Sequence, residues 1–154
     1  MMKMTAAIFT GVTLAIGMYF VYLSIMSRKQ PLLGIENDKL LACPATPNCV
    51  CSEYPNSPGY VSPLEFTVSG DEAWGKINQV VKTVGGNILK EQTGYLHASF
   101  RSRLFRYIDD LELRLDEKHQ LIHVRSASRV GHSDFGVNKK RIDSIRALFN
   151  PAES

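Results

Sequence analysis

FRYIDDLELRLDEKHQLIHVRSASRV, Phe105 to Val130, is two apolar-rich runs around the polar pentapeptide Asp116–Gln120. Such runs flanking a short polar turn read as two antiparallel strands. Side chains alternate between the faces of a strand. In the first run the odd positions, Phe105, Tyr107, Leu111, Leu113 and Leu115, are apolar, with Asp109 embedded among them. The even positions include Arg106, Asp110, Glu112 and Arg114. In the second run the parity reverses. Ile122, Val124 and Val130 are apolar with Ser126 and Ser128, while His123, Arg125 and Arg129 are odd.

Opposed residues share a face, so paired numbers must sum to an odd value; 235 and 237 both fit the turn. Either sum sets Arg125 against Asp110 or Glu112 on one face, and Asp109 against Ser126 or Ser128 on the other. The polar face is expected to be a solvated set of cross-strand pairs. Asp109, among leucines, must be hydrogen-bonded, paired or protonated. A structural buried network and a ligand or catalytic role both remain open for it.

Working outward from the hairpin, Leu64, Phe66 and Val68 alternate as a strand. Ser69 with Glu72 offers a capping box to a helix whose stripe is Ala73, Trp74, Ile77, Val80, Val81 and Val84. Gly85-Gly86 ends it. NILKEQ and YLHASFRS read as a hairpin around Thr93-Gly94. A last helix from about Lys139 turns Ile142, Ile145, Leu148 and Phe149 inward and stops at Asn150-Pro151. The predicted fold is α+β: a single antiparallel sheet in β-α-β-β-β-β-α order, helices on one face, preceded by one N-terminal transmembrane helix.

The chain has 154 residues, 44% hydrophobic and 21% charged, which suits one globular domain. The expected division is 1–29 as an N-terminal transmembrane anchor, 30–60 as a Pro/Cys-rich connector and 61–150 as the α+β domain. The formal charge of +3 is carried by Lys3, Arg28 and Lys29, which flank the apolar segment. Without them 15 basic and 15 acidic residues balance, so the electrostatic footprint of a nucleic-acid binder is missing. Residues 99–154 carry 11 basic and 8 acidic residues, a local excess that permits a small anionic ligand.

Thr5 to Met26 is 22 residues without a charge, roughly 33 Å as a helix and enough for a ~30 Å hydrocarbon core. It is longer than a signal-peptide core and ends without a small-x-small cleavage site, so an uncleaved anchor is expected, with the lipid bilayer as partner through residues 5–26. LLAC, Leu40–Cys43, lies too far beyond the apolar stretch to serve as a lipoprotein box. The expected location is the inner (plasma) membrane, single-pass. Lys3 against Arg28, Lys29 and Lys39 favours a cytoplasmic domain by the positive-inside rule. A disulfide would favour the periplasm, and the periplasmic side is preferred here.

All three cysteines lie in CPATPNCVCSEYP. Cys43 and Cys49 could close a short loop; inert thiols and a metal or redox role are the alternatives. A closed zinc site wants four N/S ligands, and no C-x-x-C or neighbouring histidine is present, so no metal and no cofactor are expected. In RVGHSDFGVN, Gly131 and Gly136 allow tight turns and Asn138 can cap the last helix. Asp134 can bond turn or helix N–H groups, and the adjacent Arg129, Lys139, Lys140 and Arg141 make an anion site conceivable at that helix start. Ser, His and Asp occur together here, but neighbours in one loop do not converge as a triad, and no G-x-S-x-G elbow is present.

CPATPNCVCSEYP, the Trp74 helix, ASFRSRLFRYIDDLELRL and HVRSASRVGHSDFGVNKKRID together resemble domain-of-unknown-function family 1499, uncharacterised and often membrane-anchored bacterial proteins. The resemblance covers roughly Leu41 to Phe149. Its polar pattern maps onto Asn48, Arg101, Ser102, Asp109, Asp110, Glu112, Arg125, Ser126, Ser128, Arg129, Asp134, Asn138 and Arg141; it usually has a serine at Cys51. It implies no activity, substrate or cofactor. The functional expectation is a non-enzymatic, membrane-anchored module. It would bind a small anionic ligand, a lipid headgroup or a protein partner through Arg101, Asp109, Asp110, Arg125, Ser126, Ser128, Arg129, Asp134, Asn138 and Arg141. The alternative is an enzyme using Asp109 or Asp134 as general acid or base on a substrate held by arginines.

Overall fold

The computed structural model describes residues 2–150. Its elements are α1 (Met2–Met26), β1 (Ile35–Glu36), β2 (Lys39–Leu40), β3 (Cys49–Cys51), β4 (Leu64–Glu65), α2 (Gly70–Thr83), β5 (Asn87–Gln92), β6 (Tyr95–Arg101), β7 (Ile108–Asp116), β8 (Leu121–Ser128) and α3 (Val137–Phe149). The main sheet is antiparallel in the order β3-β8-β7-β6-β5, and β4 pairs with β8 beside β3. The chain is therefore α+β, as expected, but it has two sheets rather than one. β1 and β2 form a separate two-stranded hairpin. Its turn, Asn37-Asp38, holds both residues at positive φ, 51° and 58°. Asn and Asp tolerate that left-handed region better than other non-glycine residues, so IENDKL carried the signal for this hairpin.

β7 and β8 pair with Asp109 opposite Ser128 and Glu112 opposite Arg125, which selects the sum of 237. One face of the sheet presents Leu96, Ala98, Leu111, Leu113, Ile122 and Val124 to Ile77 and Val81 of α2 and to Ile142, Ile145 and Phe149 of α3. Burying such side chains stabilises by roughly 1.5–3 kcal/mol each. Ser69 caps α2 by accepting the Glu72 N–H at 3.3 Å. Gly85, at φ 89°, ends it. A side chain at Gly86 would strike Val81 at 2.7 Å, so the helix exit needs glycine there. Leu148, expected on the inner stripe of α3, is instead exposed. Its azimuth lies about 90° from the centre of the stripe set by Ile142, Ile145 and Phe149. Val68 is likewise exposed, because the first strand extends over Leu64–Glu65 alone.

Part of 30–60, read from sequence as a Pro/Cys-rich connector, lies across the other face, and part of it, β3, is a strand of the main sheet. Cys51 and Leu40 are fully buried there against Tyr95, with Cys43 and Tyr54 packed around them. Cys43 and Cys49 are disulfide-bonded and Cys51 is a buried free thiol. α1 is one apolar helix, long enough over Ile8–Met26 to cross a membrane by length and composition.

Candidate functional site

Each face of the sheet carries its own polar network. On the helix face, α3 starts at a fixed point. Gly136 takes φ 77°, and the Asp134 carboxylate accepts the N–H groups of Gly136 at 3.0 Å and Asn138 at 2.7 Å. The cap is thus Asp134. Asn138, expected to cap the helix, points into the sheet and is fully buried, because it lies inside the first turn. Its Oδ1 accepts from Ser126 at 2.6 Å and from Arg141; its Nδ2 donates to the Asn48 carbonyl at 3.1 Å and to Ser128 at 3.0 Å. Arg141 also donates to Asp109 at 2.6 Å and to Ser126 at 2.9 Å, with its guanidinium 4.4 Å from the Phe100 ring centroid. Asp109 therefore meets Ser126, Ser128 and Asn138 through Arg141, one turn into α3.

On the opposite face, Asp110 receives both Nε and Nη2 of Arg129 at 2.7 Å, and His97 Nε2 at 2.7 Å. Glu112 accepts from Tyr95 and from Arg125, both at 2.9 Å. Glu53 accepts from Arg114 at 2.8 Å. Arg129 also donates from Nη1 to the carbonyls of Ser27 and Arg28, at 3.3 and 3.4 Å, just past the end of α1. Of these, Asp110, Glu112, Arg114 and Arg125 were expected on a solvated outer face. They are largely buried instead: Asp110 is 2% exposed and Glu112 fully covered. Leu40, Cys43, Cys51 and Tyr54 contribute to the cover, Ser27 and Arg28 meet Arg129, and Glu53, Glu112 and Asp110 are each paired, as burial requires. Asp109, expected among the leucines of the apolar face, keeps a side chain 15% exposed.

A match to the family described as protein of unknown function (DUF1499) covers residues 39–149. The chain belongs to that family. A search of curated proteins finds no match to it. The DUF1499 region begins at β2 and ends with α3, so it takes in both polar networks and the disulfide loop and leaves α1 outside.

Within the DUF1499 region Arg125, Arg129 and Arg141 are all engaged by internal carboxylates. Both oxygens of Asp134 are engaged by backbone N–H groups. Burial acts to raise the Asp110 pKa, but the bonds and charges of Arg129 and His97 outweigh it and hold the carboxyl below its ordinary value. Burial, reinforced by Glu112, pushes the Tyr95 hydroxyl up. Ser52, His123 and Asp116 have the residue types of a triad, with Ser52 Oγ 3.1 Å from His123 Nδ1 and Asp116 3.9 Å from Nε2. Ser52 is buried and its oxygen accepts the Val124 N–H at 2.9 Å, so that hydroxyl faces backbone rather than a cleft. Nε of Arg125 is buried with no partner among the described residues.

A concavity of about 580 Å³ lies between the disulfide loop and the start of α3. Pro47, Val50 and Pro58 line it, and Asp134 and Lys139 are its charged side chains. Arg101 stands apart from all of this. It is exposed at the end of β6 and enters no ion pair among the described residues. Arg103 and Arg106 follow it in the same loop, equally exposed and equally unpaired. His97, Ser52 and Glu53 escaped the sequence reading. The alternation of YLHASF sets His97 beside Tyr95 on one face, but its partner Asp110 depends on the β6–β7 register.

Proposed function

We propose that the chain is a membrane-anchored, non-enzymatic module that binds an anionic group through the exposed arginines at the end of the sheet nearest α1. The observation that supports this is the division among its arginines. Arg125, Arg129 and Arg141 are held by Glu112, Asp110 and Asp109. Arg101, Arg103 and Arg106 are exposed on one loop, and residues 93–108 contain no acidic residue. Guanidinium groups without internal partners are the ones available to an external carboxylate or phosphate. The length of the apolar helix and the sequence beyond it support an uncleaved anchor. The Cys43–Cys49 bond supports an oxidising, periplasmic side for the domain.

The binding test is thermal unfolding of the full chain in neutral detergent micelles, with inorganic phosphate as probe. Phosphate at ten times its Kd should stabilise by about 1.4 kcal/mol, a rise of a few degrees in Tm. The triple variant Arg101→Gln, Arg103→Gln, Arg106→Gln should lose that rise while keeping its Tm without phosphate. Equal rises in both proteins would remove the loop from the reading. For sidedness, a C-terminal alkaline-phosphatase fusion should be active; an inactive, well-expressed fusion would put the domain in the cytoplasm.

A further inference from the structure

We propose that the β6–β7 loop is a second membrane contact, in which Leu104 and Phe105 enter the bilayer interface beside α1 while the surrounding cations meet anionic headgroups. The proposal rests on the anionic reading above and names its partner as the surface of the bilayer that α1 crosses.

The loop is placed by two contacts. Phe105 stacks on Phe20 of α1, ring centroids 4.6 Å apart and planes 22° apart. Phe20 lies inside the apolar span Ile8–Met26, six residues from its end, or roughly 9 Å along the axis. A ring stacked on Phe20 shares its depth. The second contact is Arg129, which donates to the Ser27 and Arg28 carbonyls and so ties the sheet to the end of that helix. A cation at a helix C-terminus is also favoured by the helix dipole. Together they turn the β6–β7 end of the sheet toward the membrane.

The chemistry of the loop suits that position. Leu104 is 79% exposed, although reciprocal bonds between Ser102 and Tyr107 close the hairpin around it. A shallow apolar cleft of about 450 Å³ opens between loop and helix, walled by Phe20, Val21, Ile25, Leu104 and Phe105 with Arg28 at its edge. Its apolar lining suits an acyl chain. Around it stand Arg28, Lys29, Arg101, Arg103 and Arg106, and no acidic residue occurs in 5–35 or 93–108. Basic residues beside a membrane surface are attracted to anionic lipid. Phe135, 90% exposed, lies in the loop that leaves β8 at the same end of the sheet, as the Asp109–Ser128 pairing requires.

The experiment reports loop depth, because α1 would hold the chain in a vesicle regardless. Trp74 is the chain's one tryptophan. In a Trp74→Phe background, Leu104→Trp places a single reporter in the loop, and Phe105→Trp serves as a second. The full chain is reconstituted into phosphatidylcholine vesicles, with or without phosphatidylglycerol. Both reporters should emit blue-shifted light and be quenched by lipids brominated on their acyl chains. Phosphatidylglycerol should deepen that quenching, and Arg101→Gln, Arg103→Gln, Arg106→Gln should remove the increment. Red-shifted emission quenched by aqueous iodide, and not by brominated lipid, overturns the proposal. A retained phosphate-induced rise in Tm would then leave the anionic reading standing. Quenching that is equal in both lipid mixtures, with no phosphate effect on Tm, overturns the anionic reading and the headgroup half of this proposal with it.

Discussion

Arg129→Ala should destabilise the full chain by about 3–5 kcal/mol, the cost of leaving a buried charge without its partner. Asp110 is 2% exposed, and two of its three hydrogen bonds come from Arg129. The variant leaves that carboxylate with His97 alone and frees the carbonyls of Ser27 and Arg28. Urea unfolding in neutral detergent micelles measures the loss. Adding Asp110→Asn to Arg129→Ala should return part of it, because no unpaired charge then remains. The pH dependence should change with it. In the wild type the Asp110 carboxyl titrates below its ordinary 3.8. Its contribution is therefore present above the unfolded value and lost as pH falls through the folded one. Without Arg129, burial is opposed by His97 alone, so the carboxyl should rise and the folded state should favour its charged form less. The gap between variant and wild type should narrow from pH 7 toward pH 4. An Arg129→Ala protein with wild-type urea midpoints would show that Asp110 is not buried.

The hairpin shows how far alternation reaches. It sorted every side chain of Ile108–Asp116 and Leu121–Ser128 to its face, and the structure keeps that sorting with the sum of 237. Alternation does not say what lies over a face. A strand with Arg, Glu and His on one side suggests water there. Here the cover comes in part from 35–54, a segment distant in sequence and poor in periodic signal. Two expectations inverted as a result. Asp110 and Glu112 became the buried carboxylates, and Asp109 the partly exposed one. The Asn138 cap failed for a different reason. Gly136 and Asn138 differ by two positions, about 200° around a helix, so a start two residues earlier turns the amide from the helix mouth into the sheet. Helix boundaries are the least certain part of a sequence reading, and a buried polar residue at a boundary inherits that uncertainty. Arg101 was legible as a candidate, but Phe105 and Arg106 were read as strand, whereas β7 begins at Ile108. The loop's significance came from Phe105 on Phe20, a contact between residues 85 positions apart.

Asn138→Ala should cost about 2–4 kcal/mol, because it strands more than one buried group, each worth roughly 1–3 kcal/mol. The side chain is fully buried and uses all of its capacity, two acceptor and two donor bonds. Removing it leaves Ser128 and the Asn48 carbonyl short of a donor and Ser126 and Arg141 short of an acceptor. Asn138→Asp tests the assignment of the amide. It keeps the volume and the acceptor toward Ser126 and Arg141, but sets an oxygen against the Asn48 carbonyl, so it should also destabilise. Asn48 adjoins Cys49, and its carbonyl also takes the Ser128 N–H at 3.0 Å. Loss of the Asn138 bond should therefore loosen β3 ahead of the rest of the sheet, as local opening does when one anchoring bond is removed. Hydrogen exchange checks this. In Asn138→Ala, Cys49–Cys51 and Ser128 amides should lose more protection than the β6–β7 pairs. Uniform loss across the sheet would mean that Asn138 supports global stability without tying the disulfide loop to α3.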